Sequence, residues 1–157
     1  MFRVLFLCTG NSARSQIAEA LLNHLGAGRF AAESAGTEPA ARVNPAAVEA
    51  LAAAGIEWNG HPPRNLDGLD RRPWDLVVTV CDDARESCPI FPAGPVIAHW
   101  GMPDPAASQG DAAAKRAGFL DTLDVLRRRI EALLVMPVEN LARPALEMRV
   151  REIGGIP

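Results

Sequence analysis

The residues from Cys8 to Ser15, CTGNSARS, join a short apolar run to an amphipathic stretch, and this junction constrains the fold most strongly. The run Phe2 to Leu7 is apolar except for Arg3, as in a strand buried on both faces of a parallel sheet. From Gln16 onward, apolar residues recur at helical spacing. A strand, a tight loop and a helix in this order predict an anion-binding site, because the helix start has unpaired N–H groups and a positive dipole end.

The residue types of this loop suit chemistry on a tetrahedral oxyanion. The field at the helix start favours the thiolate of Cys8, which is the nucleophilic form. Arg14 adds a planar fork of donors, and successive loop N–H groups form a nest around an anion. We assign oxyanion binding to Thr9, Gly10, Asn11, Ser12, Ala13 and Arg14. The alternative is a buried, inert cysteine, the commoner fate of a lone Cys, but Gly10, Arg14 and Ser15 together favour the functional interpretation.

Length and composition predict one domain, residues 1–157, with a full core. The net charge of −3 gives no basic field for nucleic acid or an anionic membrane. No apolar run approaches the roughly 20 residues of a membrane span, and the apolar start is too short for a signal peptide. The sequence therefore predicts a cytoplasmic protein. In that reducing compartment, three cysteines favour catalytic or redox work over structural disulfides.

Strands alternate with helices, which predicts an α/β fold: an open, mostly parallel four-stranded sheet with helices on both faces. The predicted strands are 2–7, 30–34, 75–80 and 96–98, with a turn at Ala35-Gly36. One predicted helix begins at Gln16, and a second begins at Asn44-Pro45 with Asn44 as its cap. A third begins with Asp82 as its cap, and the last runs from about Ser108 to Met136. Residues 138–157 are expected to form a helical C-terminal extension packed on this domain.

Ligands of such sheets bind at the carboxyl ends of the strands. Cys8, Cys81 and the segment from His99 to Asp104 all follow predicted strands, so we expect them to meet at one edge. Asp104 lies between two prolines that restrict its backbone, and a carboxylic acid beside an oxyanion can protonate a departing oxygen. Taken alone, Asp104 is better interpreted as a solvated residue of a proline-rich turn. Trp100 is predicted to anchor this loop by packing.

Cys81 and Cys88 lie seven residues apart around the predicted short helix. Two helical turns separate their Cα atoms by roughly 10 Å, whereas a disulfide needs about 7 Å or less. The pair would be oxidised only when the helix unwinds, which describes a two-state switch. The spacing leaves equally open a packed Cys81 and an incidental surface thiol at Cys88. His24 and His61 lack metal-ligand spacing to a cysteine, so no metal site is predicted.

Several segments resemble the thioredoxin-coupled arsenate reductases, a branch of the low-molecular-weight tyrosine phosphatase fold. They are Cys8–Glu19, Ser34–Gly36, Val43–Ala47, Leu76–Cys81, Cys88-Pro89 and His99–Pro105, and the resemblance spans about residues 2–135. Phosphatases share the loop alone, whereas the second and third cysteines and the His-Trp-Gly run are specific to the reductases. The resemblance implies that Cys8 attacks arsenate held by the loop amides and Arg14. Asp104 would protonate the leaving oxygen, and Ser15 would help to keep Cys8 ionised.

The resemblance further implies a three-cysteine relay. Cys81 would attack Cys8 and release arsenite, and Cys88 would then attack Cys81 to move the disulfide outward. Thioredoxin or a similar dithiol would reduce that disulfide, and no bound cofactor is expected. Members of the family often bind potassium through Asn, Glu, Ser and Asp side chains. Asn11, Glu19 and Ser34 match, but Arg64 stands at the fourth position, and we hypothesise that its side chain supplies the positive charge instead.

The main alternative is a low-molecular-weight protein tyrosine phosphatase, which needs Cys8, Arg14 and Asp104 but neither other cysteine. Phosphatases of this fold usually carry aromatic residues beside the acid loop. This chain has no tyrosine, and Ala106 follows Asp104-Pro105. A third class is a non-catalytic oxyanion binder or redox-sensing protein, which would bind arsenate or phosphate and form no arsenite. The sequence favours arsenate reduction by Cys8, Cys81 and Cys88.

Overall fold

The computed structural model describes residues 1–107 and 109–157. Its sheet has four strands in the order β2-β1-β3-β4, and its three strand pairings are all parallel. The strands are β1 (Phe2–Cys8), β2 (Phe30–Gly36), β3 (Leu76–Thr79) and β4 (Val96–His99). The helices are α1 (Arg14–Leu25), α2 (Pro45–Ala53), α3 (Asp82–Glu86), α4 (Ala112–Leu134) and α5 (Arg143–Ile153). The predicted open α/β fold is confirmed.

Strand β1 lies in the middle of the sheet because its apolar run is buried on both faces. It pairs with β2 on one side and β3 on the other, and the side chains from Val4 to Leu7 have no exposed surface. Trp100, just beyond β4, is also fully buried, and its ring lies 6.1 Å from that of Phe6. The prediction that Trp100 anchors its loop by packing is therefore confirmed.

Two helices cover the parts of the sheet that position the site. Helix α1 packs against β2 and α4, while α5 packs against β4. The apolar positions predicted for α4 are all buried: Phe119, Leu123, Leu126, Ile130 and Leu133. In the part of the chain that the structure describes, no helix combines the length and apolarity needed to cross a membrane.

The structure corrects the boundaries that matter most for the site. The turn predicted at Ala35-Gly36 is wrong, since both residues continue β2 and pair with Leu7 and Cys8 of β1. Parallel pairing with β2 extends to the end of β1, so the backbone N–H and C=O groups there form hydrogen bonds within the sheet. Helix α1 begins two residues before the predicted start, with the Ile17 N–H donating to the Ala13 carbonyl.

The starts of α3 and α4 also differ from prediction. Cys81 rather than Asp82 caps α3, and its sulfur accepts a hydrogen bond from the Ala84 N–H at 3.4 Å. Asp111 caps α4 through a bond from the Ala114 N–H at 2.9 Å. An Asp cap is a common helix start, since its carboxylate satisfies an N–H that the helix leaves open. The start predicted at Ser108 lies outside the described residues.

Candidate active site

Three strand ends bring the predicted site residues to one edge of the sheet. Strand β1 ends at Cys8 and leads into the anion loop, which we define as residues 8–14. The Thr9 hydroxyl lies 3.2 Å from the sulfur of Cys81, which follows β3. Arg14 lies 4.0 Å from a carboxylate oxygen of Asp104 in the acid loop, defined here as residues 100–104, which follows β4. The structure thus brings together the first two cysteines, the arginine and the aspartate.

The anion loop turns its carbonyl groups away from its centre. The carbonyl oxygens of residues 8–12 accept hydrogen bonds at 2.9–3.2 Å from N–H groups in the segment 37–44 and from the Gln16 side chain. Because the N–H and C=O of a peptide unit point in opposite directions, loop N–H groups are left to face inward. An arrangement of this kind, followed by a helix start at Arg14, is chemically able to hold an oxyanion.

Within the anion loop, the residue with a left-handed backbone is Asn11 and not Gly10. Asn11 has φ of +50°, a left-handed conformation that asparagine tolerates better than most residues. A Cβ added at Gly10 would meet its nearest neighbour, the Cβ of Ala40, at an ordinary 3.7 Å. A Cβ added at Gly36 would lie 2.5 Å from the Thr9 carbonyl oxygen. Gly36 is therefore a residue of the site that the sequence reasoning missed, because it allows β2 to approach the loop.

The Cys8 sulfur, which is 2% exposed, receives two hydrogen-bond donors. The Asn11 N–H donates to it at 3.2 Å, and the Ser15 hydroxyl lies at 2.8 Å. The Asn11 side-chain amide donates to the Ser15 oxygen at 2.8 Å. When Cys8 is a thiolate it carries no hydrogen, so the Ser15 hydroxyl is then the donor in this contact. Charge-assisted hydrogen bonds of this kind stabilise a thiolate, the form that attacks an electrophile.

A second layer of polar residues lies beneath the anion loop. Arg64 donates from its backbone N–H to the Asn11 side-chain oxygen at 3.1 Å, and from Nε to the Ser34 carbonyl at 3.0 Å. His61 Nε2 and Glu19 Oε1 form a hydrogen bond of 3.0 Å. Burial raises the pKa of Glu19, while His61 and Arg64 act in the opposite direction. The Asn11 side-chain oxygen already accepts the Arg64 N–H, Glu19 is bonded to His61, and the Arg64 guanidinium lies at the Ser34 carbonyl, so these residues do not fit that ion.

The acid loop is fixed to the anion loop through Arg14. One Arg14 nitrogen donates to the Met102 carbonyl at 3.0 Å, and another lies 4.0 Å from Asp104. The side chain of Arg14 is 12% exposed and that of Asp104 is 45% exposed. Asp104 also accepts a hydrogen bond from the Ala106 N–H at 3.0 Å, as in an Asx turn. The carboxyl therefore lies beside Arg14 at the edge of the anion loop and is partly exposed to solvent.

The two remaining cysteines have different surroundings. Cys81 is buried between the Thr9 hydroxyl and the first turn of α3, whereas Cys88 is half-buried and contacts the Pro89 carbonyl at 3.7 Å. Burial raises the pKa of the Cys88 thiol. All three cysteines of the chain are free thiols. The contacts join Cys81 to the anion loop and leave Cys88 beyond the far end of α3.

His99, which sequence reasoning treated as a hydrogen-bonded structural residue, links β4 to the start of α3. Its Nδ1 lies 2.8 Å from the Thr79 hydroxyl, and its Nε2 donates to the Asp82 carboxylate at 2.9 Å. No spacing in the sequence indicates this contact, since it depends on where two strands end. The bond fixes the first residue of α3, next to Cys81.

Comparison with known proteins agrees with this geometry. Residues 3–145 match the family model described as low molecular weight phosphotyrosine protein phosphatase. The arsenate reductase of Bacillus subtilis (strain 168) is 38% identical over 128 residues, which cover 82% of this chain and 91% of the relative. A solved arsenate reductase in the phosphate-binding state has a TM-score of 0.73 and 28% identity, covering 85% of this chain and 97% of that one. The thioredoxin-dependent arsenate reductase of Corynebacterium glutamicum has a TM-score of 0.63 and 29% identity, covering 84% and 58% respectively.

Proposed function

This chain belongs to the low molecular weight phosphotyrosine protein phosphatase family, and we propose that it reduces arsenate to arsenite by a three-cysteine relay. The observation that carries the proposal is the 3.2 Å contact between the Thr9 hydroxyl and the Cys81 sulfur. Of the three thiols, hydrolysis of a phosphate ester needs only that of Cys8, whereas a second thiol beside the loop provides a route for electrons. The 38% identical relative from Bacillus subtilis is named arsenate reductase, which supports this choice of substrate.

In the first step, the Cys8 thiolate attacks arsenic while the loop N–H groups and Arg14 hold the arsenate oxygens. A sulfur–arsenic bond forms, one arsenic–oxygen bond breaks, and Asp104 gives its proton to the departing oxygen, which leaves as water. The Asn11 N–H donates to the Cys8 sulfur and the Ser15 hydroxyl contacts it, so both groups lie at the atom that attacks. Arsenic remains in the +5 state throughout this step.

In the second step, the Cys81 thiolate attacks the sulfur of Cys8. The new disulfide forms as the sulfur–arsenic bond breaks, and the electron pair of that bond leaves with arsenic, which becomes arsenite. The Thr9 hydroxyl and the Ala84 N–H, at 3.2 and 3.4 Å, are placed to stabilise the Cys81 thiolate. Two electrons have then moved from two thiols to one arsenic atom.

In the third step, Cys88 attacks Cys81 and releases the Cys8 thiolate for another cycle. We call residues 81–90 the redox segment, because α3 within it must unwind before Cys88 can reach Cys81. Ser87 and Pro89 of this segment help to line an open groove of about 480 Å³, which provides space for the movement. A dithiol reductant of the thioredoxin type, in the cytoplasm, then reduces the Cys81–Cys88 disulfide.

The test is arsenite formation by the full chain with thioredoxin, thioredoxin reductase and NADPH, in wild type and in each Cys→Ser variant. Cys8→Ser is expected to form no adduct, and Cys81→Ser an adduct without arsenite. Cys88→Ser is expected to release arsenite in a single stoichiometric burst and to stop with the other two cysteines joined. Sustained turnover by Cys81→Ser would exclude the relay. Replacing thioredoxin with a small thiol identifies the reductant.

The same variants distinguish a phosphatase from an arsenate reductase. The loop, Arg14 and Asp104 would also serve hydrolysis of a phosphate ester, since phosphate and arsenate share shape and charge. Hydrolysis of an aryl phosphate is expected to fall with Cys8→Ser and to be nearly unchanged in Cys81→Ser. Efficient hydrolysis without arsenite formation by the wild type would make the phosphatase the better assignment.

A further inference from the structure

The acid loop contains neither helix nor strand, so its shape depends on contacts with other elements. On the side of the anion loop, Arg14 donates to the Met102 carbonyl at 3.0 Å. A second arginine, Arg129 of α4, also binds this loop, and the site does not otherwise use its side chain. One Arg129 nitrogen donates to the Trp100 carbonyl at 2.9 Å and to the Gly101 carbonyl at 3.3 Å.

Arg129 is 5% exposed, which is unusual for a charged residue. The partners that the structure gives its guanidinium are carbonyl oxygens rather than carboxylates, the third being Ile156, which accepts from Nε at 2.9 Å. Burial, followed by the neighbouring charge of Arg128, lowers the pKa of Arg129. A buried charge carries a desolvation cost, and this one is offset by bonds that fix the acid loop.

We propose that Arg129 is a positioning residue that holds the acid loop so that Asp104 faces the anion loop. The proposal rests on the acid role assigned to Asp104 above. Residues 100–104 are thereby held by two arginines, by Arg14 at Met102 and by Arg129 at Trp100 and Gly101. The planar guanidinium group of arginine can bond several carbonyl oxygens at once, so it holds the loop better than the single ammonium group of lysine would.

The C-terminal segment, from α5 to Ile156, also contacts the acid loop and Arg129. The Trp100 indole N–H donates to the Val150 carbonyl of α5 at 2.8 Å. A Cβ at Gly154 would collide with the His99 carbonyl oxygen, so glycine lets this segment approach the end of β4 closely. The Arg129 bond to Ile156 joins α4 to the same segment. The extension therefore braces the acid loop through Arg129 and Trp100.

The experiment measures single-turnover arsenite formation by the reduced full chain, without any protein reductant. The variants are Arg129→Lys, Asp104→Asn and the two combined. Asp104→Asn is expected to slow the reaction by about 100-fold, as for loss of a general acid. Arg129→Lys is expected to slow it about tenfold or more, because a misplaced catalytic group reacts slowly. In the Asp104→Asn background the same change is expected to have less than a twofold effect, because Arg129 acts through that carboxyl.

Arg128→Lys, at the exposed neighbouring arginine, is the matched control and is expected to retain the wild-type rate. Amide hydrogen exchange gives a readout independent of activity: exchange of residues 101–107 is expected to quicken in Arg129→Lys while that of β1 stays unchanged. Should the lysine variant fold poorly, Arg129→Gln, which retains one amide donor group, takes its place in both measurements.

Equal slowing by Arg129→Lys in both backgrounds would overturn the proposal, as would unchanged exchange in the acid loop. A wild-type rate in Asp104→Asn would instead refute the acid role of Asp104 within the proposed function. In that case the exchange measurement alone decides whether Arg129 orders the loop. A rate lowered by Asp104→Asn but not by Arg129→Lys would refute the positioning role only.

Discussion

The anion loop and the redox segment lie side by side at one edge of the sheet but are held in opposite ways. The loop has its carbonyl oxygens bonded from outside, and its thiol, Cys8, is 2% exposed. In the redox segment α3 has only five residues, and Ala84 is the buried residue of that helix. At its ends, the Arg85 N–H donates to the Cys81 carbonyl and the Ser87 N–H to the Asp83 carbonyl, and each bond is worth about 1 kcal/mol.

The difference agrees with the role that the proposed relay gives each thiol. Cys8 would react with a bound anion, so its donors would need fixed positions before the substrate arrives. Cys88 would react only after the segment opens, so a strongly held helix would slow the proposed relay. Cys81 belongs to both regions, with the Thr9 hydroxyl on one side and the first turn of α3 on the other. Asn11 and Ser15 test the hydrogen bonds of the anion loop, and Cys88 tests the redox segment.

The largest effect is expected from Asn11→Asp, which removes the amide donor to Ser15 while preserving size and the left-handed backbone. Asn11 is fully buried, so the new carboxylate would be desolvated and would lie next to the thiolate. We expect single-turnover arsenite formation to fall by about 100-fold, or roughly 2.7 kcal/mol of barrier. The control is Asn23→Asp, the same change in α1 at a residue that bonds only the backbone of Ala32.

Asn23→Asp is expected to lower the unfolding midpoint and to leave the alkylation rate of Cys8 near that of wild type. If both Asp variants slow the alkylation of Cys8 equally, the slower rate reflects general instability. The hydrogen bond from Asn11 to Ser15 then has no special role at Cys8. Alkylation by iodoacetamide, followed by mass spectrometry, measures each cysteine separately in the same sample.

A smaller loss is expected from Ser15→Ala, which deletes one donor to Cys8 and keeps the Asn11 N–H. A hydrogen bond to a charged group contributes about 1.5–3 kcal/mol, so we expect Cys8 alkylation at neutral pH to slow by about tenfold or more. Cys88 in the same samples is the internal control, since it lies outside this network. A Cys8 rate equal to that of wild type would show that the Asn11 N–H and the helix start suffice.

The redox segment is examined through the pKa of Cys88, which burial raises from the ordinary 9.0. A raised thiol pKa means that the closed segment is fully stable below pH 9.0 and loses stability as the pH rises through the higher value. We expect the alkylation rate of Cys88 in Cys8→Ser/Cys81→Ser protein to reach its midpoint at higher pH than in a synthetic peptide of residues 80–92. Coincident midpoints would show that the segment is already open, against the closed helix described here.

The sequence predicted the parts of this molecule that depend on local pattern. The strand predicted from Phe2 to Leu7 and the Asn44 cap of α2 are confirmed. Burial on both faces and helix capping can be predicted because each depends on the types of a few consecutive residues. It missed Gly36, because the need for glycine there comes from the Thr9 carbonyl of another element. The bonds of Arg129 to the acid loop were missed for the same reason, since nothing in a helical arginine indicates what it will contact.

Of the candidate site, the residue types and their common edge could be predicted, and the hydrogen bonds that orient them could not. Gly10 was singled out in the loop, yet the left-handed backbone lies at Asn11. Asp82 was expected to cap α3, yet its carboxylate bonds His99 and the Cys81 sulfur takes the cap. In both cases several residues were chemically suitable, and tertiary contacts decided among them.

The smallest effect is expected from exchanging sodium for potassium at constant ionic strength. Arg64 donates to Asn11 and Ser34 where the resemblance implied an ion, so arsenate turnover is expected to change by less than twofold. Arg64→Gln removes that charge while retaining the backbone N–H, and potassium is expected to raise its turnover more than it raises that of wild type. A steep rise with potassium in the wild type would show that the guanidinium does not replace the ion and that the anion loop depends on added salt.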